Sequence, residues 1–340
     1  TTTLANGQVT LNVPGTLPNG LVNLISFGSF TGNDIDFIAN FPGLGGRQVP
    51  GAPQLNGNNI AVNIIGESIE WAGTGGSTWE TATTGDDSGP NNWVRKNALT
   101  FTNFWVSDEV EFNDTYGGGN PVSQSNVQIA TSVSPLSTSF NNSAVPYVIE
   151  SLGNGIASGP LTKNGSGTTT LLGTHTFTGA TTINAGTLRL GNGTVDGTIA
   201  NTSSVTNNGT LLYNWLTDRT AAYPISGAGA LVKEGPGVLT LTGTNSSTGS
   251  TTVTAGGITV TGGGGIGTGP LSVAAGANLN LNKSLTLTQT ATGSGTITNL
   301  GGTTTISGDF TGRTGVFRHS SATSSTVLTS TTATSANTDY

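Results

Sequence analysis

The chain has 340 residues, a net charge of −7 and a pI near 4.6, and only 8% of its residues are charged. An acidic chain with so few basic residues repels phosphate backbones, which argues against nucleic acid as a partner. Cysteine is absent, so a disulfide framework and thiol-based metal or redox sites are excluded.

The apolar residues, 33% of the chain, alternate with Thr and Ser, as at Leu239-Thr240-Leu241-Thr242. This alternation predicts short strands and separates the sequence from a disordered glycine-rich linker. No stretch has the i, i+3, i+4, i+7 spacing of a helix, so we expect almost no helix. No apolar run approaches the roughly 18 residues that cross a bilayer, so no direct membrane span is expected.

In chain order, the sequence divides into four predicted parts. Residues 1–70 form a first β segment, and residues 71–150 form a β module that contains Trp71, Trp79, Trp93 and Trp105. Residues 151–318 form a repeat region, and residues 319–340 form a Ser/Thr-rich tail or terminal strand. With only five tryptophans in the chain, we expect them to pack in a core or a cap; a sugar-binding aromatic face is the alternative.

The densest group of carboxylates lies in the second part, at Asp108, Glu109, Glu111 and Asp114. On a strand, Glu109 and Glu111 share a face and Asp108 points to the other. Oxygen-rich ligands of this kind suit Ca²⁺, which makes the group a candidate calcium site. The competing and favoured interpretation is a polar strand face followed by a turn. Apart from a calcium ion, no cofactor is expected.

The third part contains an internal repeat. Residues 161–190 align without gaps with residues 231–260, at an offset of 70, and fourteen of the thirty positions are identical. The structural repeat positions are Leu161, Lys163, Gly165, Gly167, Gly173, Gly179 and Gly186 in the first copy and Leu231, Lys233, Gly235, Gly237, Gly243, Gly249 and Gly256 in the second.

Each copy consists of short Thr- and Val-rich strands separated by glycines. Glycine supplies positive φ at corners without steric cost, and short strands must stack coil on coil to share a core. The sequence therefore predicts an all-β, elongated β-solenoid with a less regular β-rich N-terminal part. At roughly 20 to 25 residues per coil, the offset of 70 corresponds to about three coils.

The repeated pattern L-x-K-x-G-x-G…T-G-x-T-T-[IV]-x-A-G resembles the autotransporter-associated β-strand repeat of bacterial passenger domains and large surface proteins. The segment from Trp71 through Trp79 and Trp93 to Asp114 resembles the pattern that precedes such repeats, although Glu80 and Asn113 replace the usual Asp and Ser107 replaces Gly. Residues 1–70 resemble the closing segment of a preceding unit. The resemblance implies a right-handed parallel β-helix, export, and a stalk, adhesin or passenger role.

The other motifs in the sequence give only weak indications of a catalytic or nucleotide-binding site. Pairs such as Glu67/Glu70 and Asp34/Asp36 contain the carboxylates that glycoside hydrolysis needs, but solvated acids are favoured. A Ser-His-Asp triad would need His175 or His319, and His175 aligns with Asn245, which indicates a tolerant loop position. Gly262, Gly264 and Gly267 satisfy G-x-G-x-x-G, but Pro270 and a strand follow in place of a helix.

The sequence thus predicts a non-catalytic structural module of an extracellular, cell-surface stalk, fibre or filament. Its expected partner is itself, head to tail, because the ends of a stacked β-coil expose unpaired backbone groups. Two alternatives stay open: an adhesin that binds a glycan or a host receptor, and a polysaccharide-active enzyme on a β-helix, since fold does not determine function.

Overall fold

The computed structural model describes residues 68–79, 92–96, 99–104, 108–153, 155–320 and 324–329 in full. It also describes the backbone of the strands at 9–12, 20–26, 37–40, 49–50, 54–56, 59–65 and 338–339. All regular structure in these ranges is β, and no helix occurs among them. Accordingly, no helix in the described residues is long and apolar enough to cross a membrane.

The strands follow one another at short intervals. The N-terminal strands are β1 Val9–Asn12, β2 Gly20–Ser26, β3 Phe37–Asn40, β4 Val49–Pro50, β5 Gln54–Asn56 and β6 Asn59–Ile65. The next are β7 Ser68–Trp71, β8 Trp93–Arg95, β9 Phe101–Thr102, β10 Glu109–Phe112, β11 Thr115–Tyr116, β12 Asn120–Pro121, β13 Asn126–Ile129, β14 Ser137–Phe140, β15 Tyr147–Ser151, β16 Leu161–Lys163, β17 Thr168–Thr174, β18 Thr181–Ile183 and β19 Thr187–Leu190.

The remaining strands complete the chain. They are β20 Gly197–Thr198, β21 Val205–Asn207, β22 Thr210–Asn214, β23 Arg219–Ala221, β24 Ile225–Ser226, β25 Ala230–Glu234, β26 Val238–Leu241, β27 Thr251–Val253, β28 Gly257–Thr261, β29 Leu271–Val273, β30 Asn278–Asn282, β31 Leu285–Leu287, β32 Ala291–Thr292, β33 Thr296–Ile306, β34 Phe317–His319, β35 Ser324–Leu328 and β36 Thr338–Asp339.

Three long sheets form the body of the molecule. Sheet A has the order β24-β21-β18-β16-β14-β10-β7-β8-β9, sheet B the order β13-β15-β17-β19-β22-β25-β27-β29-β32, and sheet C the order β23-β26-β28-β30-β33-β34-β36. Apart from β7-β8-β9, their ladders are parallel. Strands β2 and β6 belong instead to an antiparallel sheet with β4 and β5, and β1 pairs with β3 in parallel.

The register of the ladders gives the length of a coil. Along sheet B, Leu211 pairs with Leu231, Leu231 with Thr251 and Thr251 with Leu271, so each coil here takes 20 residues. The chain alternates between sheets A and B from β10 to β19, visits A, B and C in turn from β21 to β26, and alternates between B and C from β27 to β30. The stack has about ten turns, and the predicted all-β β-solenoid is confirmed.

A single core runs through the stack. Inward side chains alternate with outward ones along each strand, and the inward ones form columns such as Leu239, Ile258, Leu279 and Ile297 in sheet C. Each of these four is fully buried. Because a strand of three to five residues buries little apolar area alone, the columns between coils supply the hydrophobic stabilisation.

Each sequence repeat is a four-strand unit of two layers on two neighbouring faces. In the first copy, β18 lies on β16 in sheet A and β19 lies on β17 in sheet B. In the second copy, β27 lies on β25 in sheet B and β28 lies on β26 in sheet C. The offset of 70 residues is therefore three coils plus one face, rather than the three coils expected, and the second copy begins on the next side of the solenoid.

The repeated glycines are required mainly by contact between coils. Only Gly186 and Gly256 have a positive φ in both copies, whereas Gly179 and Gly249 have it in neither. A Cβ on Gly249 would lie 2.0 Å from the carbonyl oxygen of Gly229, on the coil below. The expectation that these glycines serve chiefly to provide positive φ is thus wrong for most of them.

The N-terminal end of sheet A is capped within the chain. Strands β8 and β9 pair antiparallel beyond β7 and so end the parallel stacking. Beneath them, Trp71, Trp79 and Trp93 are buried and pack edge to face, with Trp71 and Trp93 ring centroids 5.0 Å apart. These aromatic rings fill the end of the core, because no described strand continues the parallel stacking of sheet A there.

We expect Gly249→Ala to lower the free energy of unfolding by about 3 kcal/mol, because the new methyl group overlaps the Gly229 carbonyl. Gly301→Ala is the matched control, since its Cβ would meet nothing closer than 3.4 Å and its φ is not positive. Urea denaturation followed by circular dichroism measures both. Equal stability of the two variants would contradict the coil-contact explanation.

Candidate functional site

The four carboxylates of the candidate calcium site have separate partners. Glu109 accepts a hydrogen bond from Ser68 Oγ at 2.7 Å, and Glu111 forms an ion pair with Lys96 at 2.6 Å. Asp108 is buried, and its backbone oxygen accepts from the amide of Leu136. In the part of the chain that the structure describes, no three acidic or imidazole side chains are grouped for a metal ion, so the calcium site stays a prediction.

The Asp114 carboxylate contacts the backbone of the next coil. It accepts from the amides of Ser143, Ala144 and Val145, at 2.8 to 3.1 Å. Partial burial raises the pKa of Asp114, but the three amide donors outweigh this and hold it below the usual value. Asp114 therefore ties the first described coils together.

An asparagine ladder, which the sequence analysis missed, runs along the outside of sheet A. Asn184 donates to Asn164 Oδ1 at 2.7 Å, Asn164 to Asn141 at 2.8 Å and Asn141 to Asn113 at 2.8 Å. Asn113 in turn donates to Glu70 Oε1 at 3.1 Å. All these bonds point the same way, so the amide groups are fixed by one another from coil to coil.

Two residues before each asparagine, a second outward column follows the same coils. The register places Glu70 beside Glu111, then Ser139, Thr162, Thr182, Thr206 and Ser226. With the ladder, this column gives the recurring triplets Ser139-x-Asn141, Thr162-x-Asn164, Thr182-x-Asn184 and Thr206-x-Asn208. We call these two columns, with Glu70 and Glu111, the outer track.

An exposed aromatic pair lies in line with the outer track at its N-terminal end. Phe101 on β9 pairs in register with Val94, which pairs with Glu70. Phe101 is 45% exposed, and its ring lies 6.3 Å from that of Tyr116. The amide of Gly117, next to Tyr116, donates to Glu70 at 3.0 Å, so the pair is attached to the acidic end of the track.

The tryptophans form no such surface. Trp71, Trp79, Trp93 and Trp215 are all at most 1% exposed, so the expected core and cap packing is observed for them. Trp215 donates from Nε1 to the oxygen of Gly197 at 2.7 Å. Trp105 lies outside the described residues, as do Glu67, Asp34 and Asp36 of the suggested carboxylate pairs.

The prediction that His175 occupies a tolerant loop position is wrong. Its side chain is 1% exposed, and Nδ1 accepts from the amide of Ile156 at 3.3 Å while Nε2 lies 3.2 Å from the oxygen of Leu172. Burial lowers the pKa of His175 to about 4, against the opposing effect of hydrogen bonds to the backbone of Leu172 and Ile149. The imidazole is therefore neutral and structural at pH 7.

The two repeated lysines are buried inside the corners of the solenoid. Lys233 donates to the carbonyl oxygens of Glu234 at 2.5 Å and Gly235 at 2.9 Å. Lys163 likewise donates to the carbonyls of Gly165 and Asn142. Burial lowers the pKa of each lysine to about 8, although nearby carboxylates oppose the shift. The ammonium groups satisfy carbonyls that the glycine corner turns inward.

We expect Lys233→Met to lower the free energy of unfolding at pH 7 by about 1–3 kcal/mol, because two inward carbonyls lose their donor. The native chain should also gain stability relative to the variant between pH 8 and 9.5. In that window the unfolded lysine still binds a proton that the folded one releases. Urea denaturation across this range, with Lys96→Met as the control, tests both effects.

We expect His175→Gln to weaken the acid sensitivity of the protein. Between pH 6.5 and 4 the unfolded imidazole binds a proton while the folded one does not, so native stability falls on acidification. The variant has no imidazole to bind this proton, so it should lose less unfolding free energy between pH 7 and pH 4.5. Unfolding curves at both pH values measure this loss. An equal loss of unfolding free energy in the two proteins would contradict a buried neutral imidazole.

Comparison with known proteins identifies the repeated unit. Residues 161–190 and 231–260 each match the family model described as the passenger-associated-transport-repeat. No curated protein and no solved structure matches the chain significantly. The matched segments coincide with the two four-strand units, and the resemblance to the autotransporter-associated repeat family is confirmed. The chain thus carries two passenger-associated-transport-repeats, each folded as two layers on adjoining faces of a β-solenoid.

Proposed function

We propose that this chain is a non-catalytic structural module of an exported, cell-surface protein, in which the β-solenoid acts as a stalk or spacer. The observation that carries the proposal is the single uninterrupted core from Ile69 to Phe317. A core shared by every coil makes a stiff rod whose length grows with the number of coils. The repeat family supports export, because it is named for passenger-associated transport.

The contacts of the polar side chains support a structural role over a catalytic one. Glu111 is paired with Lys96, Asp196 with Arg219, and Asp114 with three backbone amides. Each therefore holds one coil or corner to the next. No described contact favours the polysaccharide-active enzyme that the fold class also allows.

Self-association is part of the proposal, and the two described ends differ in their suitability for it. Sheet A is closed at its N-terminal end by β8 and β9. At the other end, β35 pairs with β33 on one side, and no described strand pairs with its other side. Val327 and Leu328 on β35 are 44% and 56% exposed, and the strand carries no charge. An uncharged edge of this kind favours pairing with another chain.

We expect small-angle scattering of the dilute full chain to show an elongated particle, since about ten turns at about 4.8 Å each give a stack about 50 Å long. A compact sphere would contradict the stalk role.

We also expect concentration-dependent association, seen by light scattering, to be weakened by Leu328→Lys. Leu152→Lys is the control, because Leu152 is similarly exposed at 53% but lies away from β35. A chain that stays monomeric at high concentration, or a control that weakens association as much, would remove the self-association part while leaving the stalk role intact.

A further inference from the structure

We infer that the outer track of sheet A is a binding surface for an extended, neutral polysaccharide that lies along the solenoid axis. The inference goes beyond the structural role, because it assigns a ligand to one side of the rod. It rests on the outer face of sheet A and on the aromatic pair at the N-terminal end of that sheet.

The track is continuous from Glu70 to Ser226. The register joins Glu70 and Glu111 to the hydroxyl column without a break, whereas Val94, which separates Glu70 from Phe101, is buried. Directly paired residues on neighbouring strands point to the same side of a sheet. The track therefore spans seven of the nine strands of sheet A, at about 4.8 Å per strand. A β-linked hexose chain advances by a similar distance per sugar, so successive sugars meet successive coils.

The central part of the track has the chemistry of a neutral sugar site. From Ser139 to Ser226 the outward column contains only hydroxyl side chains, and the neighbouring column contains amides from Asn141 to Asn208 and ends at Ala228. Hydroxyls both donate and accept, and Asn164 and Asn184 each keep one N–H that the ladder does not use. Sugar hydroxyls need this mixture of donors and acceptors, and no charge is present to favour an ionic ligand.

The aromatic end supplies the apolar contact that sugar rings also need. Phe101 and Tyr116 form an exposed pair, and Leu99 beside them is 58% exposed with a positive φ of 54°. The C–H face of a pyranose packs on such rings. Glu70 and Glu111 lie next in line; Lys96 offsets one of the two charges, and the remaining negative charge would repel an acidic polymer such as a polyuronate.

The ladder holds the track ready for a ligand. Because each amide is fixed by the coil below, little side-chain entropy is lost when a ligand binds. A rigid array also preserves the spacing between successive coils, which a polymer with regular sugars can match.

Comparison of the two repeats shows that the amide column is not a requirement of the repeat fold. Thr182 and Thr252 occupy the same repeat position, but Thr182 lies on sheet A and Thr252 on sheet B. Where the first copy has Asn164 and Asn184, the second has Glu234 and Thr254. The same backbone is thus built without these amides, so their alignment on sheet A calls for another explanation, and ligand binding supplies it.

The test is affinity gel electrophoresis of the full chain in gels that contain hydroxyethyl cellulose, xyloglucan or galactomannan, with polygalacturonate as the acidic comparison. We expect retardation by at least one neutral polymer and none by polygalacturonate. Thr182→Val should weaken binding about fivefold, because it removes one hydrogen-bonding group from the track. Phe101→Ala should weaken it at least as much.

Thr252→Val is the matched control and should bind as the native chain does. Thr182→Ser, which restores the hydroxyl, should recover binding, and melting curves should show that all variants fold. Binding should change little between 50 and 500 mM NaCl, since the contacts are not ionic. No retardation by any neutral polymer, preferential binding of polygalacturonate, or equal losses for Thr182→Val and Thr252→Val would overturn the inference. So would a Thr182→Val variant whose only change is in sedimentation, because that would assign the face to a second copy of the chain.

Discussion

The structure depends on direct backbone contact between one coil and the next. Parallel hydrogen bonds hold successive strands together, and at the corners the chain passes so close to the coil below that a side chain has no room. Gly209, Gly229, Gly249 and Gly269 form a column. A Cβ on each of the last three would lie 2.0 to 2.3 Å from the carbonyl oxygen of the glycine one coil below. This contact determines the layer spacing, and the apolar columns and the asparagine ladder both follow from that spacing.

The same constraint explains why charged groups occur inside the solenoid. A tight corner turns carbonyl oxygens inward, where they need a hydrogen-bond donor from the protein. Lys163 and Lys233 reach these oxygens from inward positions of the core, with Phe140 and Tyr213 directly beneath them in the ladders. Burial lowers the pKa of both lysines, which shows that the charge is kept at some cost. The lysines are thus part of the corner geometry, as the glycines are.

Much of the fold could be predicted from the repeated glycines, the alternating strands and the coil length of about twenty residues. The face of the solenoid on which the second repeat begins could not be predicted, because an offset of 70 residues does not show how many faces the chain has passed.

The asparagine ladder was not predicted for a related reason. Asn113, Asn141, Asn164 and Asn184 are separated by unequal intervals, since the loops between their strands differ in length. A search for S/T-x-N triplets after each predicted strand would have found the column. His175 was misjudged because its counterpart, Asn245, is less buried.

The shift of the repeat by one face has a consequence for how such proteins diversify. Duplication of a unit that filled whole turns would place every copy on the same side, and the rod would have one decorated flank. Here the second unit is rotated about the long axis relative to the first, so the same local sequence faces a different direction in space. Substitutions in one copy can therefore alter one side of the rod without changing another, and a molecule built from related repeats acquires distinct sides.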